Sequence, residues 1–148
     1  MDFELDAQSR ELIERTQNFM DEFIYPAEPA LAAHPVGNFE RPAIMEDLKS
    51  AAKARGLWNL FLPEVSGLSN LQYAHVAELT GRSPMLAPEA MNCSAPDTGN
   101  MEVLHLFGNQ AQKDQWLKPL LDGQIRSAFV MTEPDVASSD ANNIEMSI

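Results

Sequence analysis

Helical periodicity, interrupted by proline and glycine, is the feature that most constrains the fold of this chain. After a potential capping residue, Asp6, apolar side chains recur three or four positions apart, which is the spacing of one face of an α-helix. They are Leu12, Ile13, Phe19, Met20, Phe23 and Ile24. The pattern predicts an amphipathic helix that ends or kinks at Tyr25-Pro26, because proline lacks a backbone N–H and restricts the residue before it. The helix carries acids rather than lysines, which favours packing inside a bundle over a membrane surface.

The same punctuation predicts further helices up to Gly123. Glu28–Arg41 is interpreted as a short helical remnant and a loop, and Pro42 suits the first turn of the next helix. That helix should turn Ile44, Leu48 and either Ala51 or Ala52 inward. Ser69 is a potential cap for a helix that closes at Gly81. The predicted segments are Ala43–Arg55, Ser69–Gly81, a possible helical turn at Glu89–Cys93, Met101–Phe107 and Gln112–Leu121.

Length and charge limit what the chain does. With 148 residues and 45% hydrophobic content, it is long enough for one domain with a real core. A net charge of −12 argues against binding to nucleic-acid backbones or anionic membranes, which would repel it. Cys93 is the only cysteine, so an internal disulfide is impossible and a cytoplasmic or other reducing compartment is expected. The acidic start shows no signal peptide, and no membrane span is expected.

After Gly123 the pattern changes from helical spacing to that of strands. Arg126–Met131 has the apolar and β-branched content of a strand, and Glu133-Pro134-Asp135 ends it. Asn143–Ile148 alternates apolar and polar residues, as a half-buried strand does. Between the two lies Ala137-Ser138-Ser139, a run of small residues whose N–H and hydroxyl groups can approach an anion. The sequence therefore predicts that a strand delivers Thr132 to a loop able to hold a phosphate-bearing cofactor.

The order of residues in this stretch resembles that of a known family. Met131-Thr132-Glu133-Pro134, followed by a Ser-Asp pair ending at Asp140, closely resembles the flavin-binding signature of the acyl-CoA dehydrogenases. The stretch Gly108–Gly123 resembles the helix pair that precedes the flavin strand in that family. Here Asp135–Ser139 is one residue longer than the usual spacing and lacks its glycine, as in one branch of the family. The resemblance covers the whole chain and is strongest from Gly108 to Asp140.

The resemblance assigns cofactor-binding roles to particular residues. The hydroxyl of Thr132 would form a hydrogen bond with the edge of the isoalloxazine ring of FAD. The serine before the aspartate would reach cofactor and substrate, and because of the altered spacing this is either Ser138 or Ser139. Phe129 and Met131 occupy positions that touch the flavin in relatives. No catalytic residue is assigned within the chain, because in the family the glutamate base belongs to a later helical domain.

The resemblance also implies an architecture and a reaction. The fold would be mainly α: residues 1–123 would form the N-terminal helical-bundle domain, and residues 124–148 would begin a β-barrel-like middle domain. The implied activity is FAD-dependent α,β-dehydrogenation of an acyl-CoA thioester in fatty-acid β-oxidation, although the 148-residue chain alone is expected to be inactive. Implied partners are the acyl-CoA substrate, an electron-transfer flavoprotein or similar acceptor, and further copies in a homo-oligomer, a dimer or tetramer.

Two other functions were weighed. Glu102 and His105 have the Glu-x-x-His spacing of a di-iron helical bundle, but such a site needs a second motif, and His34 and His75 lack a matching glutamate. The scattered histidines and lone Cys93 fit structural roles better than zinc binding or nucleophilic catalysis. A catalytically silent helical interaction or oligomerisation module is compatible with the family and stays open.

Overall fold

The computed structural model describes residues 4–35 and 42–147, and their regular structure is helical. The helices are α1 (Ala7–Phe19), α2 (Tyr25–Ala32), α3 (Ile44–Ala54), α4 (Pro63–Ser66), α5 (Asn70–Thr80), α6 (Ala87–Ala90), α7 (Asp97–Phe107), α8 (Gln110–Gln112) and α9 (Lys118–Leu121). Two π-helical segments, Met20–Ile24 and Lys113–Leu117, join α1 to α2 and α8 to α9, and a 3-10 turn spans Ala141–Asn143. Residues 36–41 of the loop predicted at Glu28–Arg41 lie outside the described residues.

Several helices begin or end at the capping residues and the glycine that the sequence predicted. Oδ1 of Asp6 accepts the backbone N–H of Ser9 at 2.6 Å, and this bond lowers the pKa of the Asp6 carboxyl. Ser69 and Gln72 form a capping box at the start of α5, each side chain accepting an N–H that the first helical turn cannot satisfy. Gly56, with φ of 64°, follows α3 in the left-handed conformation that glycine adopts without strain.

Of the end or kink predicted at Tyr25-Pro26, the end does not occur. Tyr25-Pro26 lies inside one helical path, because the preceding turn widens into a π-helical segment in which the N–H of Tyr25 donates to Met20 O, five residues back. The same arrangement precedes Pro119, where the N–H of Lys118 donates to Lys113 O. A widened turn makes room for the proline ring and for its missing donor.

Three further boundaries differ from the predictions. The helix predicted at Met101–Phe107 begins four residues earlier, at Asp97. The helix predicted from Gln112 begins at Gln110, because Asn109 and Gln112 form a second capping box. The helical turn predicted at Glu89–Cys93 lies at Ala87–Ala90 instead.

The helices bury two apolar clusters. The larger cluster includes the inward face of α1 and the following π-helical segment, with Leu48 and Ala52 from α3. Ala52, rather than Ala51, is the fully buried alanine of α3. The smaller cluster consists of Phe61, Leu62, Met101, Leu117 and Leu120. Tyr73 and Cys93 pack against both clusters and so join the two halves of the domain. Within the described ranges, no helix combines the length and apolarity that crossing a bilayer requires.

Strands are not formed at either predicted position within the described residues. Arg126–Met131 has no regular secondary structure and no ladder partner. Asn143 belongs to the 3-10 turn, and Ile144–Ser147 continues without strand pairing. Ile148 lies outside the described residues. The backbone N–H groups of Glu145 and Met146 donate to the carboxylate of Glu133 at 3.1 and 3.0 Å, rather than to a neighbouring strand. A strand needs a paired edge, and alternation in sequence alone does not supply one.

Candidate functional site

The segment with the predicted site residues follows α9, whose last carbonyl groups are bound by side chains from elsewhere in the fold. Leu121 O accepts from Nε1 of Trp58 at 2.7 Å and from Nδ2 of Asn59 at 2.8 Å. Nδ2 of Asn92 donates to Leu120 O at 3.0 Å and to Oδ1 of Asn59 at 2.6 Å. These bonds replace the intrahelical partners that carbonyl groups lack at a helix C-terminus. They fix the direction in which the chain leaves the helical domain.

Three residues in the left-handed conformation shape this exit. Asn59, Asn92 and Gly123 have φ of 56°, 54° and 72°. Asparagine and glycine are the residues that adopt this conformation most readily. A Cβ atom built on Gly123 would lie only 2.7 Å from Cζ2 of Trp58, so the indole packs directly on the glycine backbone. Sequence patterns did not indicate these positions, because the side chains that meet are 33 or more residues apart.

A buried carboxylate ties the next few residues to the start of α7. Asp97 is 3% exposed, and its Oδ1 accepts the backbone N–H of Ser127 at 2.7 Å and the Ser127 hydroxyl at 2.6 Å. Its Oδ2 pairs with Nε of Arg126, whose Nη1 lies 2.7 Å from Oε2 of Glu89. Asn100, one turn further along α7, donates to Ser127 Oγ at 2.8 Å. Arg126 and Asp97 lie 29 residues apart in the sequence, and no local pattern indicates that they pair.

Three of the residues predicted to touch a flavin lie on a mostly exposed stretch without regular secondary structure. Phe129 is 71% exposed, Thr132 is also exposed, and Met131 is half-buried. Within the described part of the chain, no hydrogen bond joins the backbone of residues 129–132 to another residue. A segment in this state presents backbone donors and acceptors and one hydroxyl to whatever lies beside it.

Ser138 and Ser139 have different environments. Ser138 is 3% exposed, and its Oγ accepts the backbone N–H of Glu133 at 2.8 Å, which closes residues 133–138 into a compact loop. The N–H of Ser138 donates to Val136 O at 2.8 Å within the same loop. Ser139 is exposed. The hydroxyl of Ser138 is therefore used in holding the loop, while that of Ser139 faces outward.

An apolar groove of about 360 Å³ lies beside the exit from the helical domain. It is lined by Asn100, Val103, Leu104, Trp116, Leu120, Ile125, Arg126 and Ser127. Val103 is 57% and Trp116 48% exposed, so the groove continues into an open apolar surface on α7 and the π-helical segment after α8. The guanidinium of Arg126 and the hydroxyl of Ser127 line the part of the groove from which the chain continues toward Thr132. An apolar wall with a polar end suits an amphipathic ligand.

Rival chemistries receive no geometric support within the described residues. No three histidine, cysteine or acidic side chains there are grouped as metal ligands would be. The thiol of Cys93 donates to Met91 O at 3.3 Å, and burial raises its pKa. A thiol with a raised pKa forms little of the thiolate that nucleophilic catalysis requires.

Comparison with known proteins places this arrangement among relatives. Residues 6–124 match the family model described as "Acyl-CoA dehydrogenase, N-terminal domain". A Mycobacterium tuberculosis protein named acyl-CoA dehydrogenase FadE2 is 56% identical over 100% of this chain and 37% of its own length. Acyl-CoA dehydrogenase family member 11 of Rattus norvegicus is 54% identical over 96% of this chain and 19% of its own length.

A solved structure from Mycobacterium abscessus, also named as an acyl-CoA dehydrogenase, superimposes with a TM-score of 0.82. It is 48% identical and covers 94% of this chain, whereas this chain covers 37% of that structure. The chain thus spans about a third of the mycobacterial relatives and about a fifth of the rat relative.

Proposed function

The chain belongs to the acyl-CoA dehydrogenase family, and on that premise we propose that it provides the N-terminal helical domain and a flavin-facing segment of an enzyme that oxidises acyl-CoA thioesters. The family is in general FAD-dependent. The proposed reaction removes hydrogen from the α and β carbons of the acyl chain, as in fatty-acid β-oxidation. The observation that carries the proposal is the exposed stretch 129–132, which ends in the threonine of the family motif.

The residues present fit the edge of a flavin ring. The isoalloxazine edge offers acceptors and a donor in one plane, which backbone groups without partners and a hydroxyl can bind. The backbone of residues 129–132 is without such partners in the described part of the chain, and the exposed Thr132 stands at the end of that stretch. The apolar Phe129 and Met131 would contact the ring system. We therefore assign cofactor contacts to Phe129, Met131 and Thr132.

Of the two serines that the sequence left open, Ser139 is the better candidate for contact with cofactor and substrate. The hydroxyl of Ser138 already accepts the N–H of Glu133 inside the loop. Exposing it would cost that hydrogen bond and leave a buried donor without a partner. Ser139 needs no such rearrangement, because it is already exposed.

The proposed reaction gives separate roles to the cofactor, to the residues of this chain and to the base. FAD, when bound, supplies the acceptor for the β-hydrogen, which leaves as hydride while a carboxylate base takes the α-proton. In this chain, Thr132 would orient the flavin edge by a hydrogen bond, and the groove beside α7 would provide an apolar wall for the acyl chain. By analogy with the family we assign the base to a later part of the family fold, and we propose a domain boundary between residues 123 and 124. The proposal includes three partners: the acyl-CoA substrate, an electron-transfer flavoprotein or similar acceptor, and further copies of the protein in a homo-oligomer.

A catalytically silent helical module is the second candidate, and one observation favours it. The outer face of α7 exposes large apolar groups, with Phe107 80% and Leu106 62% exposed, close to Val103 and Trp116. Such a surface is more typical of a contact between proteins than of a face in water. Flavin content separates the two candidates: a yellow gene product with bound FAD supports the enzyme, and a colourless one that only associates supports the module.

Replacing Thr132 by valine is expected to weaken flavin binding. The substitution keeps the branched shape but removes the hydroxyl, which costs about 1 kcal/mol if it is one neutral hydrogen bond. The measurement is the dissociation constant of FAD in the full natural gene product, followed by flavin fluorescence. Thr132→Ser is the matched control, since it keeps the hydroxyl and should bind flavin nearly as the unaltered protein does. If the valine variant bound FAD as tightly as the unaltered protein, Thr132 would not be a flavin contact.

The 148-residue chain by itself is expected to show no dehydrogenase turnover with acyl-CoA of any chain length. The physical reason is that the proposed base and most of the flavin cavity come from later parts of the family fold. A dye-reduction assay with added FAD measures this directly. Turnover by the pure chain would place a base within these residues and contradict the assignment.

A further inference from the structure

The stretch 129–132 is attached to the helical domain at its N-terminal end, although its own backbone has no partner in the described part of the chain. At this end Nδ2 of Asn100 donates to Ala128 O at 3.3 Å and to the Ser127 hydroxyl at 2.8 Å. After the stretch, Ser138 Oγ accepts the N–H of Glu133 at 2.8 Å, a bond within the same terminal segment. Four residues reach at most about 14 Å, so Thr132 stays within that distance of the attachment at Ala128.

Asp97 is the centre of this attachment. Its two oxygens accept from three groups: the backbone N–H of Ser127, the hydroxyl of Ser127 and Nε of Arg126. Because Asp97 is 3% exposed, these bonds are protected from water, and bonds to a charged acceptor are stronger than neutral ones. Asp97 lies in the first turn of α7, a helix whose inner face is in the smaller apolar cluster.

Further charges make this attachment stiff. Arg126 also pairs with Glu89 of α6 at 2.7 Å, and Glu89 pairs with Nζ of Lys49 of α3 at 3.4 Å. Two positive and two negative side chains therefore alternate, and Arg126 is held between Glu89 of α6 and Asp97 of α7. The side chains of Lys49 and Asp97 are each 5% exposed, so breaking one pair leaves a charge with little water to stabilise it. The helical domain thus holds Arg126 and Ser127 in one place.

We propose that Asp97 is a positioning residue for the flavin site: by fixing Arg126 and Ser127 against α7, it sets where Thr132 stands relative to the isoalloxazine edge. This rests on the proposed function. Asp97 does not touch the cofactor in this scheme, and its effect on flavin passes through Thr132. A purely structural Asp97 would instead stabilise the helices and affect flavin independently of Thr132.

The first experiment tests the attachment in the 148-residue chain. In Asp97→Asn the amide group offers only one acceptor oxygen, so amide exchange at Ser127 should accelerate on the order of tenfold. Exchange within α1, α5 and the apolar centre of α7 should stay slow. Asp114→Asn is the matched control, because Asp114 lies on an exposed helix surface, where it bonds to Lys118 at 2.6 Å and to Gln110 at 2.9 Å. Unchanged exchange at Ser127 in Asp97→Asn would overturn the proposal, and so would loss of protection throughout the helices.

Ser127→Ala provides a milder version of the same test. It removes only the hydroxyl and keeps the N–H bond to Asp97, so the helices remain intact if Asp97→Asn proves too damaging to fold. Faster exchange at residue 127, with exchange in the helices unchanged, supports the proposal. Exchange equal to that of the unaltered chain overturns it.

The second experiment is a double-mutant cycle on FAD affinity in the full natural gene product, with Asp97→Asn, Thr132→Val and the double variant. If Asp97 acts through Thr132, flavin affinity in the double variant equals that of Thr132→Val alone. Additive losses mean that Asp97 affects flavin by another route, which overturns this proposal and leaves the proposed function standing. If Thr132→Val alone has no effect, the flavin contact itself fails and the positioning proposal falls with it.

Discussion

Replacing Asn92 by aspartate is expected to lower the free energy of unfolding by about 4 kcal/mol. Asn92 is 8% exposed, and its Nδ2 donates to Oδ1 of Asn59 at 2.6 Å and to the carbonyl oxygens of Leu120 and Leu121 at 3.0 and 3.4 Å. An ionised carboxylate has no donor, so a buried negative charge would face three oxygens. Urea unfolding of the 148-residue chain, followed by the helical circular dichroism signal, measures the loss.

The same variant should show a pH dependence with a definite sign. Burial among acceptor oxygens raises the pKa of the new carboxyl in the folded state above its ordinary value of about 3.9. Between those two pKa values the folded state holds more protons than the unfolded state, so stability falls as the pH rises. The deficit relative to the unaltered chain should therefore shrink when the pH is lowered toward 4. A deficit that stays constant with pH would show that the new carboxylate is solvated.

Asn109→Asp is the matched control for this substitution. Asn109 is exposed and caps α8, where its Oδ1 accepts the backbone N–H of Gln112 at 2.9 Å. Aspartate supplies the same acceptor and adds a negative charge near a helix N-terminus, which is favourable. Stability should be unchanged or slightly higher. An equal loss at Asn92 and Asn109 would mean that the hydrogen bonds of Asn92 are not the cause.

Replacing Gly123 by alanine should cost about 3 kcal/mol, the second largest effect expected in this chain. Part of the cost is the left-handed backbone, with φ of 72°. The larger part is steric, since the new Cβ would lie 2.7 Å from Cζ2 and 2.9 Å from Cη2 of Trp58. The indole has little room to yield, because its Nε1 is bound to Leu121 O and Nζ of Lys53 lies 4.2 Å from the centre of its ring.

Gly67→Ala separates the two parts of that cost. Gly67 has φ of 73°, but a Cβ there would meet no atom within 4 Å. It should therefore show only the backbone penalty, about 1 kcal/mol. Thermal or urea unfolding of both variants gives the difference. If the two glycine variants lose equal stability, the contact between Gly123 and Trp58 is not close enough to matter.

Some features could be predicted because the residues that cause them are neighbours in sequence. The cap at Asp6, the capping box of Ser69 and Gln72, and the glycine after α3 each depend on groups within four residues. The inward face of α1 likewise follows from the spacing of apolar residues. Such short-range causes identified most of the helices, and the motif around Thr132 identified the family.

Other predictions failed where the cause is not local. Pro26 was expected to end or kink a helix, and of these two alternatives the end does not occur. The helical path continues through a π-helical turn beside Phe19, Met20 and Ile24, which are buried in the larger cluster. The alternating pattern of residues 143–148 was expected to make a strand, but a strand forms only when another edge is present to pair with it.

The sequence by itself determined the helical class, the family and the candidate flavin residues, because periodicity, caps and a contiguous motif are all written in neighbouring positions. Only the tertiary structure decided how those residues are held. It brought Asn59 and Asn92 to the end of α9, placed Asp97 against Arg126 and Ser127, and enclosed the hydroxyl of Ser138 while leaving Ser139 exposed. Apart from the bond of Ser138 within its loop, these contacts join groups 28 or more residues apart. Such contacts depend on how the helices pack, and the pattern along a single chain does not specify that packing.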